Sequence, residues 1–315
     1  MFSRRTLMLS ATAALAGPAA TALTGPAAAQ TRRPAHPVPA RPAAPRHAPD
    51  PAPSGPPAQT PIGPVDTAAR YAIIVDYNTG ATLLDKDADV AMTPSSMTKL
   101  MTAYIVYGML QAGRLKLDQE LPVSEKAWRM GGSKMFVRVD TTVKVEDLIR
   151  GMIVDSGNDA CIVLAEGIAG SEEQFVELMN QKAHELGLQH TKFLNATGWP
   201  DPGHQMSARD ISIVAGRLIR DFPEYYKYDS EKTFKYNNIE QQNRNTLVQK
   251  GTADGLKTGH TEAGGYGLVA SASRNGRRVI VVLNGMTTMH QRGEEGERLL
   301  DWAFREFEDV TLFSA

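Results

Sequence analysis

Three short runs of residues in this sequence could do chemistry together. The first is Ser96-Met97-Thr98-Lys99. On a helix, positions three apart share a face. A serine hydroxyl is a weak nucleophile until a base takes its proton. A lysine one turn away can be that base if burial or a nearby cation lowers its pKa and leaves it neutral. The second run is Ser156-Gly157-Asn158. Its hydroxyl can pass a proton to a leaving amine, and its amide can hold a substrate carbonyl. The third is Lys257-Thr258-Gly259. Lysine places positive charge, threonine can bind a carboxylate, and glycine lets a substrate backbone approach closely. Each run alone has a plain structural reading: a serine cap with a solvated lysine, a turn between helices, a surface strand ending in a glycine turn. Ser273-Arg274-Asn275 repeats the second pattern and reads as a hairpin turn. The order of the three, with gaps of 60 and 101 residues, is far more specific than any one of them.

The elements that must position these residues follow from periodicity. Residues 71–76 read as a strand, 77–80 as a turn and 81–84 as the partner strand. Met97, Leu100, Met101, Tyr104, Ile105 and Gly108 recur at three and four, which predicts a mostly buried helix over 96–112, ended by Gly113. Helices are predicted over 145–153 and 160–168. A third, capped by Ser171, runs to Leu186-Gly187, and a fourth begins at Ser207 and continues through Ile219. Residues 256–258 read as a short strand. Strands 266–273 and 277–283 flank an Asn-Gly turn, and a last helix covers 293–307. Strands, then many helices, then strands predict an α/β fold of the α+β type. One antiparallel sheet, built from both chain ends, is flanked by helices and carries a helical subdomain.

With their surroundings the three runs become Pro94-Ser95-Ser96-Met97-Thr98-Lys99-Leu100-Met101-Thr102, Asp155-Ser156-Gly157-Asn158-Asp159-Ala160-Cys161 and Gly255-Leu256-Lys257-Thr258-Gly259-His260-Thr261. Asn195-Ala196-Thr197-Gly198-Trp199-Pro200 and Met206-Ser207-Ala208-Arg209-Asp210 fit the same set. Over residues 68–308 the chain resembles the low-molecular-mass penicillin-binding proteins, the serine-type D-Ala-D-Ala carboxypeptidases of the penicillin-binding, active-site-serine superfamily. The resemblance implies a β-lactamase/transpeptidase-like fold and a mechanism. Ser96 attacks the carbonyl between the last two D-alanines of a peptidoglycan stem pentapeptide, and Lys99 is the base. The backbone N–H groups of Ser96 and His260 form the oxyanion hole. Ser156 helps protonate the departing D-alanine, with Lys257 tuning the field. Asn158 holds the substrate amide, Thr258 binds the terminal carboxylate, Gly259 admits the substrate backbone, and Arg292 assists. Water then releases the acyl-enzyme, without metal or cofactor, and β-lactams acylate Ser96. A D,D-endopeptidase that cuts cross-links is the alternative. A class A β-lactamase would need a glutamate where Thr191 stands, so slow deacylation is expected. An inert wall-binding module is the non-enzyme reading, and three intact motifs argue against it.

Composition sets the frame. Hydrophobic residues make up 42%, charged residues 22%, and the net charge is -1. These values argue against an integral membrane protein, a nucleic-acid binder held by bulk charge, and a disulfide scaffold. The average hides a split, because residues 1–66 hold 14 of the 19 prolines and six arginines against two acids. Arg4-Arg5, an apolar run from Leu7 to Leu23 and Ala27-Ala28-Ala29 form an export signal over 1–29, and Ser3-Arg4-Arg5-Thr6-Leu7 looks like a twin-arginine signal. Residues 30–66 read as a disordered Pro/Ala-rich tether, and 67–315 as the peptidase domain. The expected location is the periplasm. Many relatives continue with a second all-β domain and an anchoring helix, whereas this sequence stops at Ala315. Membrane association is therefore left to the N-terminal segment, if it stays uncleaved. The lone Cys161 lies in an apolar run and reads as a buried small hydrophobe. The histidines show no metal-ligand spacing, and Glu166, Glu172 and Glu173 read as solvated helix faces or caps.

Overall fold

A computed structural model of the chain describes residues 55–309. The expected signal over 1–29 and most of the tether lie outside the described residues. Five strands form the main sheet: β1 (Tyr71–Asp76), β2 (Thr82–Lys86), β7 (Thr258–Thr261), β8 (Gly265–Arg274) and β9 (Arg277–Met286). Their order is β2-β1-β9-β8-β7, and every neighbouring pair is antiparallel. Both ends of the described chain thus build one sheet. The β8–β9 turn has Asn275 at φ 53 and Gly276 at φ 83, the left-handed pair that a two-residue hairpin requires. Central β9 is apolar on both faces. Val279, Val281 and Leu283 pack with Leu299, Leu300 and Ala303 of α8 (Met289–Glu306). Ile280 and Val282 face the opposite way, into the larger core.

That larger core belongs to the helical region inserted between β2 and β7. It comprises α1 (Lys99–Gln111), α2 (Glu125–Arg129), α3 (Val145–Ile153), α4 (Asn158–Ala169), α5 (Glu172–Glu185) and α6 (Ala208–Asp221). Two small hairpins, β3 (Glu120–Pro122) with β4 (Thr142–Lys144) and β5 (Thr233–Tyr236) with β6 (Ile239–Gln242), and the short α7 (Thr246–Lys250) complete it. Residues 158–165 of α4 are all buried, as expected of a helix apolar around its circumference. Among these eight residues only Asn158 and Asp159 carry polar oxygen or nitrogen side chains, and both are spoken for. Asp159 accepts from the N–H groups of Met135 (2.9 Å), Phe136 (2.8 Å), Val137 (3.2 Å) and Ala160 (3.0 Å). One carboxylate therefore folds the 133–137 loop onto the start of α4.

The structure corrects four expectations. The helix expected over 96–112 is broken: Ser95–Thr98 form a 3-10 turn, and α1 begins at Lys99. The Ser96–Lys99 offset survives because residues three apart eclipse in a 3-10 turn. The last helix starts earlier than 293, at Met289, with the Thr288 side chain accepting from Gln291 N–H. Part of the segment assigned to the tether is ordered. Ala58 is fully buried and bridges to Val65, and Gln59 bridges to Asp85 on the outer edge of β2. Proline-rich composition hid this because the segment needs no core of its own: it covers a sheet edge through backbone hydrogen bonds. Glu172, finally, is buried, pairing with Lys126 at 2.9 Å and accepting from Ala196 N–H at 3.0 Å.

Asp159→Ala would orphan the buried N–H groups of Met135 and Val137 and release the part-buried one of Phe136. At about 1–3 kcal/mol for each buried group, the expected loss of unfolding free energy is at least about 2 kcal/mol, read from a urea titration. A loss under about 1 kcal/mol would show that the loop does not depend on this carboxylate.

Candidate active site

Ser96 is half-buried on the 3-10 turn, directly after Ser95, whose backbone is left-handed at φ 52. One turn on, Lys99 is fully buried. Its Nζ donates to Ser96 Oγ, Asn158 Oδ1 and the Thr197 carbonyl, each at 2.7 Å. Three acceptors match the three N–H bonds of an ammonium. Burial nonetheless pulls the Lys99 pKa from 10.5 to about 8, against the favourable charge of Asp159. The chemical consequence lies in which partner can return a proton. Asn158 Oδ1 and the Thr197 carbonyl can only accept, so a neutral Lys99 keeps its two N–H bonds on them. Its lone pair then faces the Ser96 hydroxyl, the one partner with a proton to give.

Ser156 sits at the junction of α3 and α4 in the left-handed region, at φ 59, a conformation that costs on the order of 1 kcal/mol and persists only where the surroundings dictate it. Lys257, also buried, donates to Ser156 Oγ at 2.8 Å. Its pKa is pushed well down, first by burial and then by the positive charge of Lys99. The site thus holds two serine–lysine pairs. Asn158 joins them through the chain, lying two residues after Ser156 with its Oδ1 on Lys99 and its Nδ2 on the Gly131 carbonyl at 2.8 Å. Its acceptor is already taken, and one amide hydrogen is left for a ligand.

The third run lies at the sheet edge. Lys257 N–H bonds to the Val269 carbonyl, and Val269 N–H returns the bond to Lys257. Along an antiparallel pair such exchanges recur every second residue. The backbone groups of Gly259 therefore point at β8, whereas those of Thr258 and His260 point out from the free edge. The His260 N–H expected in the oxyanion hole thus faces the open side. Its imidazole stacks on Tyr266, with centroids 3.9 Å apart. Gly259 has a reason of its own to be glycine, since a Cβ there would come within 3.0 Å of the Pro94 carbonyl and Ser95 Cβ. The missing side chain lets β7 press against the turn that carries Ser96.

Arg292, expected to assist, is buried near the start of α8. It donates to the Arg244 carbonyl at 3.1 Å, and burial lowers its pKa to about 10. It contributes, as does Arg244, to the positive field that depresses Lys257. Sequence reasoning missed Arg244, which sits in a polar stretch with no motif. It also missed what the 195–199 loop does. Asn195 Oδ1 accepts from Thr197 N–H and Oγ1, Gly198 N–H and Trp199 N–H, which locks the Thr197 carbonyl onto Lys99. Gly198, at φ +81, has no alternative, because a Cβ would lie 1.8 Å from the Ser95 carbonyl. The exposed indole of Trp199 rests on Gly131 and Gly132 at the rim. Cys161 is a bystander, with its thiol bonded to the Gly157 carbonyl and its pKa pushed up to about 12 by burial. Among the described residues, no group of three or more His, Cys, Asp or Glu is placed to hold a metal ion.

A mixed antiparallel-sheet and helix fold with a Ser–Lys pair at the junction of its two regions defines the penicillin-binding, active-site-serine class. The chain belongs to the D-alanyl-D-alanine carboxypeptidase family, peptidase family S11, whose profile matches residues 57–288. It is 44% identical over 255 residues to the D-alanyl-D-alanine carboxypeptidase DacA of Haemophilus influenzae, a match covering 79% of this chain and 65% of that protein. The chain therefore spans slightly less than two thirds of the length of that relative. Penicillin-binding protein 5 from Haemophilus influenzae aligns with a TM-score of 0.75 at 43% identity, over 76% of this chain and 72% of that one. Penicillin-binding protein D2 from Listeria monocytogenes, solved in an ampicillin-bound form, aligns with a TM-score of 0.69 at 28% identity, over 76% and 98%.

The Lys99 value carries a sign. Below about 8 the amine is protonated and cannot take the Ser96 proton; above it the amine is free. Acylation of Ser96 by ampicillin should therefore speed up roughly tenfold per pH unit between about 6 and 8 and level off above. Stopped-flow labelling across this range checks it, and a flat profile would remove Lys99 as the base.

Proposed function

We propose that this protein is an exported serine D,D-carboxypeptidase that removes the terminal D-alanine from peptidoglycan stem pentapeptides. The observation that carries the reading is the buried Lys99, held by two pure acceptors so that its lone pair can face only Ser96. Ser96 Oγ attacks the carbonyl carbon between the two D-alanines, and its proton passes to Lys99 Nζ. The N–H groups of Ser96 and His260 receive the developing oxyanion. As the C–N bond breaks, Ser156 gives its proton to the leaving nitrogen and is replenished from Lys257, already bonded to it at 2.8 Å. Thr258 binds the terminal carboxylate in the field of Lys257, Arg244 and Arg292. Gly259 keeps the strand flat against the Ser96 turn, and Asn158 offers its remaining amide hydrogen to the substrate. Lys99 then gives up the proton it took and Lys257 recovers the one it lost, after which water attacks the acyl-enzyme with neutral Lys99 again as base and its proton is returned to Ser96 Oγ.

Export to the periplasm rests on the Arg4-Arg5 signal and its Ala27-Ala28-Ala29 site. Among the described residues no helix is long and apolar enough to cross a membrane. β-Lactams are proposed as covalent inhibitors of Ser96. They should be released slowly, because Thr191, standing where a β-lactamase has its glutamate, is tied by its hydroxyl to Asp210 at 2.7 Å.

Two measurements test this reading. A synthetic pentapeptide ending in D-Ala-D-Ala should lose one D-alanine, and Ser96→Ala should abolish release by at least about 10³-fold. Undiminished release by that variant would sink the assignment. A chromogenic cephalosporin should give a stoichiometric burst and little turnover, and rapid steady turnover would point to a β-lactamase.

A further inference from the structure

Two carboxyls flank the Ser156-Gly157-Asn158 run, and the fold uses them differently. Asp159 is spent on structure, since it accepts from four backbone N–H groups. Asp155 is also buried, at 1% exposure, yet its Oδ1 has no hydrogen-bond partner. Buried acceptors are normally satisfied, so this one calls for a reason. A ligand does not supply it, because the atom is closed to solvent. The reason lies inside the protein.

The neighbours of Asp155 locate it. Asp155 directly precedes Ser156, whose Oγ accepts from Lys257 Nζ at 2.8 Å. Among the described residues, the other acceptor for Lys257 Nζ is the Thr258 carbonyl, at a long 3.4 Å. An ammonium has three N–H bonds, so one is left without an acceptor. An unmet acceptor and an unmet donor thus adjoin the same residue, Ser156. Burial raises the Asp155 pKa to about 7, while the charges of Arg244 and Lys257 pull it down and that of Asp159 pushes it up. Above that pH Asp155 is an anion among cations. Arginines keep their protons, so Lys257 is the cation in this field with a proton to lose. It is also under pressure to lose it, from burial and from the charges of Lys99, Arg292 and Arg244. Cys161, nearby, stays a neutral thiol. Asp229, on the 3-10 turn Tyr226–Ser230, interacts with Lys257 as well, but burial lifts that carboxyl to about 8 and keeps it mostly protonated at neutral pH.

We propose that Asp155 is a positioning residue for departure of the D-alanine: its buried negative charge holds the proton on Lys257 Nζ, beside Ser156, until the leaving nitrogen needs it. The carboxylate takes up no proton in this step. As the C–N bond breaks, one proton moves from Ser156 Oγ to the departing nitrogen, and one follows from Lys257 Nζ to Ser156 Oγ. Asp155 acts before that, when Lys99 has just taken the Ser96 proton and become a second cation in the site. The inference deepens the carboxypeptidase reading and rests on it.

The test compares two leaving groups in the full chain. One substrate is a peptide ending in D-Ala-D-Ala, whose amine cannot depart without a proton. The other is the same peptide with sulfur in place of the scissile nitrogen, which departs as a thiolate and needs none. The readout is the ratio of kcat/KM for the amide to that for the thioester, in which the amount of active enzyme cancels. Asp155→Asn keeps the shape and removes the charge, so Lys257 loses its proton at lower pH. The ratio should match wild type within about twofold at about pH 6 and lie at least about tenfold below it at about pH 8.5. Asp155→Ser, smaller and also uncharged, should behave in the same way. Equal losses on both substrates would make Asp155 merely structural and overturn the proposal. So would a ratio unchanged at the higher pH, or one lowered equally at both. If folded wild-type protein hydrolyses neither substrate, the carboxypeptidase reading itself is overturned instead.

Discussion

A lysine ammonium removed from water is the constraint on which the rest of the structure depends. Burying such a charge costs several kcal/mol unless hydrogen bonds replace its hydration. Lys99 receives three replacements from three distant parts of the chain: Ser96 on the 3-10 turn, Asn158 at the start of α4, and Thr197 in the 195–199 loop. Each of these parts is held by something else. Gly259 and Gly198 let β7 and the loop close on the Ser95–Ser96 turn. Asp159 folds the 133–137 loop onto the start of α4, and Glu172 takes the Ala196 N–H from behind. The compensation is deliberately incomplete in effect, because burial still brings the lysine to about 8. That places its charged and neutral forms within reach of each other near physiological pH, as acid–base work requires.

The second buried lysine extends the same logic. Lys257 reaches Ser156 from the sheet side, while Lys99 reaches Ser96 from the helical side. Two cations in one water-poor site repel, and the repulsion favours the state in which one has lost its proton. The two pairs are suited to opposite steps, one taking a proton and the other giving one. Cations from α8 and from the loop after β6 keep that end of the cleft positive, as an anionic peptide terminus would need.

Much of this was legible in the residues. The Asn275-Gly276 turn set the β8–β9 hairpin because both positions need left-handed backbone. Apolar periodicity located α1, the cap residues Ser171 and Ser207 located α5 and α6, and the spacing of the three runs singled out Ser96, Lys99, Ser156 and Lys257. The misses share a cause. Thr197 acts through a carbonyl, which no side-chain pattern reports. Glu172 has the composition of a surface residue, and only the tertiary fold buries it. Residues 58–65 look like tether because their order comes from backbone pairing with the outer edge of β2, which their own composition does not report. The break between the Ser95–Thr98 turn and α1 is invisible to periodicity, since both geometries keep residues three apart together.

The most direct test of this account is the ionisation of Lys99 itself. Carbon-13 labelling at lysine Cε, with Lys99→Arg to assign the resonance, allows its titration to be followed by NMR. The account predicts a midpoint near 8, far below that of the solvated lysines. A Lys99 that titrates above 10 with the others would mean that it stays charged while Ser96 reacts, and the general-base mechanism would be wrong.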